Sequence, residues 1–134
     1  MSKVAVVYWS GTGNTEAMAE AVAKGAREAG ASVDVASVSD FSGSIADYDG
    51  VALGCPAMGA ENLEDGEFEP FWESIKGDVA GKKLALFGSY GWGDGEWMRN
   101  WEEDAGSIVG SYICLEAPGP DEEAECKALG AKLA

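Results

Sequence analysis

The chain has 134 residues, with 24 acidic side chains against nine basic ones, a formal charge of −15, no histidine and 46% hydrophobic residues. That length suffices for one compact domain and its core but not two, and the acidity excludes most nucleic-acid binding, because a phosphate backbone demands the opposite sign. The lack of histidine removes Ser-His-Asp and Cys-His nucleophilic catalysis together with histidine-ligated metals.

Residues 3–9 (KVAVVYW) form a short, nearly continuous apolar run with β-branched and aromatic side chains, the mark of a central buried strand. Residues 14–30 are predicted as a helix: Met18, Ala21, Val22, Gly25 and Ala29 recur at helical spacing, and Glu16, Glu20, Lys24 and Glu28 fill the outer face. Glu20 and Lys24 are placed for an i,i+4 pair, and Gly30 for a C-terminal stop. A second, weaker strand is expected over 32–38, then a Ser/Asp/Gly-rich stretch with room for one short helix, then a third strand over 50–55 (GVALGC). A long acidic loop leads to a helix over 68–77. A fourth strand covers 83–89 (KLALFGS), and a loop over 90–95 precedes a helix running to about Asp104. The fifth strand lies within 107–116, with Gly110 as a candidate bulge, and a helix over 121–133 closes the chain with Cys126, Leu129 and Leu133 inward. Strand–helix alternation through the chain predicts an α/β fold, a parallel sheet covered on both faces, as a single domain over residues 1–134.

Cys55, Cys114 and Cys126 are odd in number and widely spaced, which fits neither a disulfide framework nor a metal-binding spacing, so they read as reduced structural residues. No apolar run reaches the length of a membrane span and the first residues lack a signal-peptide pattern, so a cytoplasmic location is expected.

In open parallel sheets ligands sit beyond the carboxyl ends of the strands, where strand order reverses. The loops after strands one, three and four are all unusual here. Ser10, Gly11, Thr12, Gly13, Asn14 and Thr15 make a hydroxyl- and glycine-rich turn opening a helix. Such a turn lets backbone amides and the helix end converge on an anion. It contains no cation, lacks the lysine of the nucleotide-triphosphatase loop, and does not match the dinucleotide glycine spacing. By itself it would also serve as an ordinary helix cap.

Three blocks together carry a family resemblance: Tyr8 through Thr15, Leu53 through Gly59 running on to Glu67 through Phe71, and Gly81 through Lys83 with Leu86 through Gly95. In order and over nearly the whole chain, these resemble short-chain flavodoxins of anaerobic bacteria. The resemblance implies a flavodoxin-like three-layer sandwich with five strands in the order 2-1-3-4-5 and bound FMN. The FMN phosphate would sit in the first loop. Pro56, Ala57, Met58, Gly59, Ala60 and Glu61 would lie against the isoalloxazine. In the family, the glycine at the Gly59 position turns its carbonyl toward flavin N5, and the acid at the Glu61 position accepts from N3–H. In the third loop, Ser89, Tyr90, Gly91, Trp92 and Gly93 would complete the site, with Trp92 stacked on the outer flavin face and the amides of Gly91 and Trp92 reaching the pyrimidine oxygen. Trp97 and Trp101, four apart on the following helix, read as packing residues.

Two departures from the family stand out. Some relatives carry serine where this chain has Pro56, which removes one phosphate donor. Ala60 follows the flipping glycine where a residue tolerant of positive φ would be more comfortable. A positive φ there would cost about 1–2 kcal/mol, or roughly 40–90 mV in a one-electron couple, so Ala60→Gly is expected to raise the oxidised/semiquinone potential.

The implied function is a low-potential one-electron carrier using the semiquinone/hydroquinone couple. Glu61, Glu64, Asp65, Glu67 and Asp94 would disfavour an anionic flavin, with no basic residue inside the loops to offset them. Transient, basic-surfaced redox enzymes are the expected partners and a monomer the expected state. The alternative on the same fold is an NAD(P)H-dependent flavin or quinone reductase, but no basic patch awaits a nicotinamide nucleotide. A receiver-type signalling domain is disfavoured because Trp9 and Cys55, not aspartates, stand at the strand ends.

Overall fold

The computed structural model describes residues 2–58 and 62–134. Alternation along the strands sorts the core into two layers. From β1 (Lys3–Tyr8), Ala5 and Val7 point to one face while Val4 and Val6 point to the other. β3 (Gly50–Gly54) sends Val51 and Leu53 one way and Ala52 the other; β4 (Lys83–Tyr90) sends Leu84 and Leu86 against Ala85 and Phe87. The first face is covered by α2 (Phe68–Ile75) and α3 (Glu96–Ala105), which contribute Phe68, Trp72, Trp97 and Trp101. The second face is covered by α1 (Asn14–Glu28) and α4 (Pro120–Ala131), with Met18, Val22, Cys126 and Leu129. With β2 (Ser32–Ser37) and β5 (Gly110–Leu115) at the edges, the five strands pair in parallel in the order β2-β1-β3-β4-β5. The expected three-layer sandwich is the one observed.

Several local expectations are corrected. β1 stops at Tyr8, and the Trp9 amide donates to the Gly54 carbonyl (2.9 Å) as the last rung of its ladder with β3. Tyr90 belongs to β4 rather than to the following loop, since β5 continues alongside and pairs with Ser89 and Tyr90 through Cys114 and Leu115. Gly110 is no bulge: it opens β5 in regular register opposite Ala85. Its glycine identity has a packing cause, because a Cβ there would approach Leu129 Cδ1 to 3.0 Å. Glu20 and Lys24 form no ion pair among the described residues; instead Lys127 of α4 reaches Glu28 of α1 (3.1 Å). Ala29 caps α1 at the surface instead of joining the core.

The helix pair α1/α4 is packed on glycine. A Cβ on Gly25 would lie 2.0 Å from the Lys127 carbonyl oxygen, and one on Gly130 would lie 1.9 Å from that of Val22. The two backbones are in contact at both points. Cys55, Cys114 and Cys126 are buried and free, as expected.

Candidate functional site

β1 lies between β2 and β3, so the chain leaves neighbouring strand ends toward opposite faces, α1 on one side and α2 on the other. The cleft opened there is the topological switch point. Gly13, in the left-handed region (φ 95°), turns the first loop into α1. Ser10 Oγ accepts from the amides of Gly13 (3.0 Å) and Glu16 (3.3 Å) and so braces the loop. Among the described residues, the amides of Gly11, Thr12, Asn14 and Thr15 have no protein acceptor. Four donors at a helix N-terminus, with hydroxyls beside them and no cation, fit a phosphate monoester. Thr15 is buried, and its Oγ1 accepts the Ser89 amide (3.4 Å), a bond that leaves its hydroxyl hydrogen free to donate.

In the second loop the Met58 and Asn62 backbones bond reciprocally (2.9 and 2.8 Å), closing a narrow neck. Gly59, Ala60 and Glu61 lie outside the described residues. Glu64, expected as a charge near the site, is also a structural anchor. Its carboxylate accepts the amides of Gly66, Glu67 and Phe68 (2.8 Å each) at the start of α2. Burial alone would raise its pKa, but the three amide bonds together hold it below its ordinary value. Its own amide donates to Cys55 Sγ (3.3 Å). Burial pushes the Cys55 thiol up to about 12, so it is no nucleophile.

The third loop holds Gly91, Trp92, Gly93 (φ 80°) and Asp94, and Gly95 (φ 90°) caps α3. Trp92 is 52% exposed, an indole left on the surface beside the cleft. Trp97 and Trp101 are buried as packing residues; Trp97 Nε1 donates to the Cys55 carbonyl (3.0 Å), and Trp101 packs edge-on against Phe68 and Trp72. Asp94 is not uncompensated, because Arg99 reaches back from α3 to its carboxylate (3.0 Å). The absence of bases inside the loops did not exclude one arriving from a helix.

A cavity of about 270 Å³ joins the three loops. Its wall includes Gly11, Thr12 and Asn14 from the first, Pro56, Ala57 and Met58 from the second, and Ser89, Tyr90, Gly91 and Trp92 from the β4 end. Ser10, Gly13, Thr15 and Gly93 shape the loops without lining it. Two wall residues escaped the sequence reading. Trp9 read as a strand residue, yet it stands at the loop junction with Gly11 packed against its ring (3.1 Å to a Cβ at Gly11). Glu116 belongs to a fourth loop, after β5, which carried no motif. Of the acids named beforehand, Glu64 and Asp65 line a neighbouring hollow with Met58, Asn62, Leu63 and Glu69, not this cavity. Among the described residues no cluster of metal-ligating side chains is present, and no helix is long and apolar enough to cross a membrane.

A doubly wound parallel sheet whose switch point combines an uncharged anion cup with an aromatic-walled, largely apolar cleft defines a mononucleotide-binding protein. The flavodoxin family model matches residues 6–129. Flavodoxin from Clostridium beijerinckii is 51% identical, over 96% of this chain and 97% of the relative. That from Megasphaera elsdenii is 48% identical, over 95% of each. The solution structure of the two-electron reduced Megasphaera elsdenii protein superposes with a TM-score of 0.86 at 47% identity, over 97% of each chain. The chain belongs to the flavodoxin family. It is an FMN-binding, low-potential electron carrier that works with transient redox partners, and not a stand-alone enzyme.

Proposed function

We propose that FMN binds with its phosphate in the turn from Ser10 to Thr15 and its ring in the cleft walled by Trp9, Pro56, Ala57, Met58, Tyr90, Gly91 and Trp92. The carrying observation is the set of four amides without protein acceptors opening onto that cavity. The bound flavin supplies one-electron uptake and release. The residues supply the rest. Amides and hydroxyls hold the phosphate by directed hydrogen bonds, Gly91 and Gly93 let the backbone approach a flat ligand, and Trp92 covers it from solvent. Partners approach this end of the sheet, drawn by the field of an acidic protein, so basic-surfaced redox enzymes are the expected donors and acceptors. The carrier acts as a monomer in the cytoplasm.

The test is titration of the apoprotein with FMN, followed by flavin fluorescence, then reduction with dithionite. One equivalent of FMN is expected to be quenched, and the bound flavin to reduce in two separable one-electron steps. Unquenched FMN at micromolar protein overturns the binding site; a single two-electron step overturns the carrier role.

A further inference from the structure

We propose that Ser89 is a positioning residue that ties the four loops around the cavity into one unit; this rests on the FMN reading above. From the end of β4 its three polar groups go to three loops. The amide donates to Thr15 Oγ1 (3.4 Å) in the phosphate turn. The carbonyl accepts the Ala57 amide (3.1 Å) in the second loop. The hydroxyl donates to the Glu116 carbonyl (2.9 Å) in the loop after β5. Ser89 is only 5% exposed, so its hydroxyl hydrogen is committed to the protein and not to a ligand. Ser89 still lines the cavity, with its hydroxyl hydrogen serving the wall.

The fourth loop is shaped for this bond. Glu116 is the one described residue other than glycine with positive φ (58°). Its amide donates to the Tyr90 carbonyl (2.8 Å) while its own carbonyl turns inward onto Ser89. Cys114 Sγ lies near the same oxygen (3.6 Å), too weak a donor to replace the hydroxyl. Beneath the knot, Gly88 seats the strand against the Cys55 carbonyl, where a Cβ would come within 2.1 Å. Walls contributed by four separate loops are therefore held in mutual register by one side chain and its peptide, and a ligand touching several walls gains from that preorganisation.

The experiment compares the full chain with Ser89→Ala, Thr15→Val and the double variant. FMN dissociation constants are measured well below each melting temperature, alongside apoprotein melting. Ser89→Ala is expected to weaken FMN binding about tenfold, the scale of one lost hydrogen bond with its acceptor left buried. Because both residues serve one network, the double variant should lose less than the product of the single effects. A Ser89→Ala protein that melts lower but binds FMN as tightly as wild type overturns the proposal, leaving a purely structural serine. Single effects that multiply cleanly also overturn it. Failure of the wild type to bind FMN would instead indict the site itself.

Discussion

Trp92 and Glu64 show how single residues divide the work of the site. Trp92 lies on the surface with half its area in water, an arrangement that costs apolar exposure unless a flat ligand covers it. Trp92→Ala is expected to weaken FMN binding about tenfold or more, on the scale of 1–3 kcal/mol per stacked base, with little change in apoprotein melting. Fluorescence titration and melting of the same sample check both halves. Glu64 does the converse, stabilising the protein without facing the cavity. Glu64→Ala leaves three amides at the head of α2 without their acceptor and should cost about 1–2 kcal/mol. Since its folded pKa lies below the ordinary 4.5, the contribution is fully present above that value and is lost as the pH falls through the folded pKa. Urea unfolding of wild type and Glu64→Ala across the acid range should show the two curves converging. A constant gap would argue that the carboxylate's charge is irrelevant.

Among the elements, the α1/α4 pair is the least forgiving, because its contacts are backbone on backbone. Gly25→Ala drives a methyl into the Lys127 carbonyl, and helix separation is the only relief. A loss of about 1–3 kcal/mol or more is expected in urea unfolding. Gly77→Ala, where the added carbon meets nothing within 4 Å, is the control and should be neutral or slightly stabilising. The same elements show what a reader of the chain can and cannot see. Strand and helix order was legible because β-branched runs and helical spacing act locally, and the loop motifs fixed where the cavity opens. Glu116, the Asp94–Arg99 pair and the Ser89 knot were not legible. Glu116 and the Ser89 knot depend on which loops the sheet brings together across tens of residues, and the Asp94–Arg99 pair on how the third loop turns into α3. The capping role of Glu64 was hidden for a related reason, since an acid in a loop gives no sign of the helix it caps until that helix is placed beside it.

At the scale of the whole molecule, the charge of −15 acts on everything that approaches. The anion cup contains hydroxyls and amides but no lysine or arginine. A cation-lined site loses affinity for a phosphate ester as ionic strength rises, because salt screens the attraction. Here the protein's net field, set by 24 acids against nine bases, repels a doubly charged ester, and short directed bonds are barely screened. Adding salt should therefore tighten the hold on FMN while slowing electron exchange with oppositely charged partners. Two responses of opposite sign to the same reagent, measured on one preparation, would follow from a grip that uses geometry where others use charge.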